Sequence, residues 1–159
     1  YHPPPDSNFK KSGSESVFQY YTTLKNMYPV KHIILFDGVC NLCNGAVQYV
    51  IKRDKRGTFK FASLQSDAGK ELLSKSGLPE DHLKSFVYIS DDKVYTKSDA
   101  ALRVAGKLSF PTKLLSGFII VPRFIRDFFY DLIARNRYKM FGKKDECMLP
   151  TPELKGRFL

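Results

Sequence analysis

An α/β fold with a mixed four-stranded central sheet and extra C-terminal helices is what this 159-residue sequence predicts, and three observations carry that prediction. Short apolar or β-branched runs alternate with stretches of helical period in the order β-α-β-α-β-β-α. The first two strands are joined through a helix, as a right-handed parallel crossover requires, whereas the third and fourth are joined at Asp91-Asp92 and must be antiparallel. A further long stretch of helical period then follows Phe110. At 43% hydrophobic residues the chain suits one domain with a real core, which excludes disorder throughout.

The elements follow in order. Tyr1 to Ser16 is rich in Pro, Ser and Lys, contains Pro3-Pro4-Pro5 and lacks an apolar period, which predicts an extended arm. Val17, Tyr20, Tyr21, Leu24 and Met27 give a short helical stripe that ends before Pro29. Residues 1–30 thus form an arm with a short helix, and 31–159 a domain with a helical extension. Ile33-Ile34-Leu35-Phe36 has the length and branching of a buried strand and stops at Asp37-Gly38. Ala46, Val47, Val50 and Ile51 then recur on one helix face that closes with Lys52 and Arg53. Lys55-Arg56-Gly57 turns the chain into a strand from Phe59 to Leu64. Ser66 caps a helix through Leu73, ended by Gly77 and Pro79. Ser85 to Ser90 and Lys93 to Thr96 are the third and fourth strands. Ser98 is placed as the cap of a helix through Ala105, with Ala101, Leu102 and Ala105 inward. Pro122 opens the last helix, in which Phe124, Ile125, Phe128, Phe129, Leu132 and Ile133 make an apolar stripe while Arg123, Arg126, Asp127 and Arg135 face elsewhere. That stripe is expected to pack on the sheet or on the first helix; a partner or a membrane surface is the alternative. Gly142 ends the helical region.

Chemistry is concentrated where the first strand turns into the first helix. Cys40 and Cys43 stand two residues apart at the start of that helix, where unpaired N–H groups and the positive end of the dipole stabilise a thiolate. Cys40, the more N-terminal and expected to be the more exposed, is the candidate nucleophile, and Cys43, roughly one turn on, the candidate resolving thiol. Asp37 is a third candidate. As a negative charge it opposes ionisation of a nearby thiol, so a turn in which it accepts the N–H of Val39 or Cys40 is favoured over proton transfer with Cys43.

The stretch Asp37-Gly38-Val39-Cys40-Asn41-Leu42-Cys43 resembles the signature of the DCC family (DUF393) of thiol-disulfide oxidoreductases. Phe61 to Ser66 (FASLQS), Val94 to Leu102 (VYTKSDAAL) and Arg137 to Pro150 (RYKMFGKKDECMLP) resemble that family too, so the likeness runs in order from about Lys31 to Leu159. It implies a thioredoxin-like three-layer fold, which the order of elements also matches, and dithiol chemistry with Asp37, Cys40 and Cys43 as motif residues. One departure stands out: thioredoxin-like oxidoreductases usually place a cis-proline before the third strand, and here that region reads His82-Leu83-Lys84-Ser85. The start Lys97-Ser98-Asp99 resembles the place where glutaredoxins hold the glutathione carboxylate. Ser85, Ser98 and Asp99 are accordingly candidate substrate-binding residues, although capping alone also explains Ser98 and Asp99.

Three cysteines are too few for a disulfide framework and suit a reducing compartment with one functional pair. Cys147, beside Asp145 and Glu146, is expected to be a packed thiol. No cofactor or metal is implied; zinc would need Cys147 and one of His2, His32 or His82 to converge on the pair from remote positions. The net charge of +10 favours polyanionic surroundings. Arg135, Arg137, Lys139, Lys143 and Lys144, interleaved with Tyr138 and Phe141, form the densest basic cluster, a candidate surface for RNA or protein partners together with the N-terminal arm. The longest apolar segment, Phe118 to Val121, is closed by Pro122 and falls far short of the ~20 residues that span a bilayer. A chain without an initiator Met or a signal-peptide pattern at its start fits a processed or trimmed product. The compartment expected is a soluble reducing one: a mitochondrial or other organellar matrix, or a bacterial cytoplasm.

The leading expectation is therefore a thiol-disulfide oxidoreductase acting on a protein or low-molecular-weight disulfide. The alternative is a non-catalytic or weakly redox-active subunit of a larger ribonucleoprotein or membrane complex.

Overall fold

The computed structural model describes residues 32–78, 86–90, 93–145 and 150–159. The arm and short helix of residues 1–30, Ser85 with the segment that precedes it, the turn at Asp91-Asp92, and Cys147 lie outside the described residues. Four strands, β1 (His32–Phe36), β2 (Lys60–Ser63), β3 (Val87–Ser90) and β4 (Lys93–Thr96), form one sheet in the order β2-β1-β3-β4. β1 pairs parallel with β2, and β3 pairs antiparallel with both β1 and β4. The helices are α1 (Asn41–Arg53), α2 (Asp67–Lys75), α3 (Lys97–Lys107) and α4 (Arg123–Phe141), with 3-10 turns at Thr112–Ile120 and Lys155–Arg157. The order and mixed topology are the thioredoxin-like ones expected, and the helical extension is present.

The alternation of side chains along β1 explains its unbroken apolar run. Ile34 and Phe36 join Val47 and Val50 of α1, Ala100 and Val104 of α3, and Phe59, Phe61 and Tyr88 on one face. Ile33 and Leu35 join Leu72 and Leu73 of α2 with Ala62, Val87 and Ile89 on the other. The sheet is thus the middle of three layers.

Ser66 caps α2 as expected, its Oγ accepting the N–H of Gly69 at 3.1 Å. Ser98 does not cap α3. Thr96 holds the cap position and Ser98 is buried in the first turn, because its hydroxyl is taken by Asp127 of α4. The inner face of α3 is also rotated from the expected one: Ser98, Ala100, Val104 and Ala105 are buried and Ala101 is exposed, since small residues on every side leave the helix phase to its neighbours.

Gly69 is fixed by packing. A Cβ there would stand 1.9 Å from the Ser63 carbonyl oxygen, at the end of β2. Backbone cannot yield as a side-chain tip can, so Gly69→Ala is expected to destabilise the domain by about 1–3 kcal/mol, read as a lower urea midpoint. An unchanged midpoint would show that α2 is free to shift.

The C-terminal residues close the free edge of β2. The Leu159 N–H donates to the Phe61 carbonyl at 2.8 Å, Phe158 packs on Phe61 and Phe36 with ring centroids 5.6 and 6.2 Å away, and Arg157 pairs with the buried Asp54. Asp54 also accepts the N–H groups of Thr58 and Phe59 at 3.0 Å each, so the turn out of α1 is organised by one carboxylate.

Candidate active site

Cys40 occupies the N-cap of α1, where its Sγ accepts the N–H of Cys43 at 3.5 Å. This is the strand-to-helix junction read from the sequence. The expected exposure is reversed: Cys40 is fully buried and Cys43 partly exposed, both as free thiols. The cause is the segment after α4. Gly142, at φ +80°, ends the helix, and the chain then runs antiparallel across the motif. The Lys144 N–H donates to the Val39 carbonyl at 2.8 Å, and the Asn41 N–H donates to the Gly142 carbonyl at 3.4 Å. The Asn41 side chain donates to the Phe141 carbonyl at 2.9 Å, and Cys40 bridges to Lys143. A strap from Gly142 to Lys144 is therefore paired with the backbone on either side of the buried Cys40.

Asp37, at the end of β1, is 2% exposed. Its Oδ1 accepts the Val39 N–H at 3.2 Å, the turn expected from the sequence, and the Gln65 amide at 2.8 Å. Its Oδ2 accepts Arg137 Nη2 at 2.7 Å and the Tyr138 hydroxyl. Gln65 turns its other side to the motif as well, its Oε1 accepting the Gly38 N–H at 2.9 Å and the Ser63 hydroxyl at 2.7 Å. Asn44 donates to the Gly38 carbonyl at 2.9 Å. The loop that presents Cys40 is held from both ends and from the side.

Arg137 thus belongs to a different place from the one expected. It is 3% exposed and forms a buried ion pair with Asp37, stacked on Tyr138 with its guanidinium 4.7 Å from the ring centroid. Arg135, Lys139, Lys143 and Lys144 remain exposed, so the basic surface lacks one of its five members. Ser98 and Asp99 are likewise committed: Asp99 pairs with Arg126 at 3.0 Å and Ser98 with Asp127, which fastens α3 to α4 and leaves neither side chain presented as an anion cradle.

The apolar stripe of α4 does not pack on the sheet or on α1. The inward face is the polar one, carrying Arg126, Asp127, Tyr130, Asp131 and Arg137, while Phe124, Phe128, Phe129, Leu132 and Ile133 are exposed. Charge recognition decides this orientation, since the surface under α4 offers Asp37, Lys97 and Asp99 as partners. Tyr130 accepts the Phe86 N–H at 3.0 Å at the entrance to β3. Burial, with a smaller contribution from nearby Cys43, pushes its phenol up to about 12.

The Cys43 thiol is strongly perturbed. Its pKa is raised to about 12 by burial first, then by the hydrogen bond and negative charge of Cys40, with Arg137 acting in the opposite sense. The Cys43 thiol therefore keeps its proton through the ordinary thiol range. Among the described residues no cluster of three or more His, Cys, Asp and Glu side chains could hold a metal.

A family model for DCC1-like thiol-disulfide oxidoreductases matches residues 34–143. The chain belongs to that family. The DCC1-like segment contains Asp37, Cys40, Cys43, Gln65, Arg137 and Tyr138, and it ends on Lys143, where the strap meets Cys40. The uncharacterized protein YuxK of Bacillus subtilis is 59% identical over 127 residues, covering 80% of this chain and 93% of that protein. A chloroplastic DCC family protein of Arabidopsis thaliana is 46% identical over 118 residues, covering 74% of this chain and 69% of the relative. No solved structure matches the chain. DCC family membership supports a redox role for the CxxC pair.

The sequence does not single out Gln65, and it places Arg137 and Tyr138 in the basic surface rather than beside the CxxC pair. Gln65 and the Arg137-Tyr138 pair do fall in two of the blocks that resemble the DCC family, and that likeness was the one signal pointing to them.

Proposed function

We propose that this protein is a thiol-disulfide oxidoreductase in which Cys40 attacks and Cys43 resolves. The observation that carries the reading is the placement of the two thiols: Cys40 stands at the N-cap of α1, where its Sγ accepts the Cys43 N–H, and the Cys43 thiol beside it is held up by burial and by Cys40. The Cys40 thiolate attacks one sulfur of a substrate disulfide; that S–S bond breaks, and the other substrate sulfur leaves as a thiolate. Once Cys40 is in the mixed disulfide, both of its effects on Cys43 vanish and the Arg137 guanidinium is left favouring the Cys43 thiolate. Cys43 then passes its proton to water or to the substrate thiolate already released and attacks Cys40 Sγ, releasing the second substrate thiolate. The protein ends as the Cys40–Cys43 disulfide, oxidised by the two electrons the substrate has gained. Asp37 acts on position, holding Arg137 and the motif turn, rather than on protons. Because Cys40 is buried, substrate enters when the Gly142–Lys144 strap lifts.

That burial also favours a second reading, in which the motif persists as architecture in a subunit of a larger assembly. One experiment separates the two. Alkylation of the reduced protein at about pH 8, followed by mass spectrometry and by equilibration with glutathione buffers, is expected to modify Cys40 in preference to Cys43 and to give a reversible two-electron couple. Cys43 is expected to react fully only as the pH approaches 12, since its proton is retained through the ordinary thiol range. Preferential labelling of Cys43, or no reaction and no couple, would overturn the catalytic reading. The relatives, one bacterial and one chloroplastic, fit a bacterial cytoplasm or an organelle matrix and give no support to mitochondria.

A further inference from the structure

We propose that the 3-10 turn Thr112–Ile120 and helix α4 form a docking face for an anionic membrane surface. Every large hydrophobic side chain identified as exposed among the described residues, Tyr49 apart, lies between Phe110 and Phe141. Ile120 is 86% exposed, Phe124 75% and Phe128 66%, far more apolar surface than a soluble monomer ordinarily leaves open. The two elements follow one another across Pro122, and α4 cannot turn this face inward, because its opposite face is fixed by the Asp37–Arg137, Asp99–Arg126 and Lys97–Asp131 pairs.

Charge identifies the occupant. Between Lys107 and Lys144 the sequence has nine Lys and Arg against two Asp, so this segment holds seven of the ten units of net positive charge. Both carboxylates, Asp127 and Asp131, are engaged toward α3, while Lys113, Arg135 and Lys139 are exposed. Apolar knobs set among outward cations complement an acyl layer beneath anionic headgroups. No helix among the described residues is long and apolar enough to cross a membrane, so the face lies in the interface with α4, about 28 Å long at 1.5 Å per residue, parallel to the surface.

The test is co-sedimentation of the full chain with vesicles of phosphatidylcholine alone or mixed with phosphatidylglycerol. Binding to the anionic vesicles is expected at about tenfold lower lipid concentration than to the neutral ones. It is expected to be lost both in Phe118→Ser/Phe128→Ser and in Arg135→Glu/Lys139→Glu; all four side chains are exposed, so thermal unfolding should be unchanged. Failure to bind anionic vesicles would overturn the proposal. So would intact binding in the apolar double variant, which would reduce the effect to charge adsorption. A stable dimer by light scattering that the apolar variant dissociates would assign the face to a second copy instead.

Discussion

Replacing Arg137 by leucine is expected to destabilise the domain by about 3–5 kcal/mol, the range for removing one partner of a buried ion pair. Asp37 and Arg137 are 2% and 4% exposed in their side chains, so the carboxylate left behind would have neither its cation nor water. Tyr138 and Gln65 would still donate to it, but neither brings charge. The expected readout is a fall in the urea midpoint, with part of the loss recovered in Asp37→Asn/Arg137→Leu, because coupled neighbours are not additive. A change below about 1 kcal/mol, as for a surface pair, would show that the pair is solvated. Losing the guanidinium also removes a cation that lowers the Cys43 pKa, so the residual folded variant should resolve mixed disulfides more slowly.

Cys40→Ser is expected to reduce disulfide turnover by roughly 10³-fold or more, as loss of a nucleophile does, whereas Cys43→Ser should keep the first attack and accumulate a mixed disulfide. Intact mass under non-reducing conditions reads the difference directly: an adduct on Cys40 in the Cys43→Ser protein and none in the Cys40→Ser protein. Turnover that survives in Cys40→Ser, or an adduct that forms on Cys43, would exchange the two roles. Because Cys40 is fully buried, the urea midpoint of each serine variant is measured beside its turnover, and a folded Cys40→Ser protein without an adduct is the expected result.

The two expectations meet at α4. Its inward face holds Asp37 through Arg137 and Tyr138, its end supplies the strap beside Cys40, and Tyr130 reaches the start of β3. A helix outside the minimal thioredoxin-like plan therefore shapes access to the CxxC pair.

Alternation and helical period were enough to place the strands, the crossover through α1 and the three-layer plan, because each rests on burial of a contiguous local pattern: the β1 run, Val47 and Val50, Leu72 and Leu73. The location of Cys40 and Cys43 at a helix start, and the turn between Asp37 and Val39, were legible for the same reason, being separated by only a few residues. What lay beyond the sequence was every decision made by a distant partner. Ser98 and Asp99 read as a cap until Asp127 and Arg126, nearly thirty positions on, claimed them. Arg137 read as surface charge until Asp37, a hundred positions away, buried it, and Cys40 read as exposed until Lys143 crossed it. On α4 both stripes have helical period, so periodicity could not say which one faces in; the carboxylates and the lysine waiting on the domain surface did, because a paired buried charge excludes an apolar neighbour from the same site.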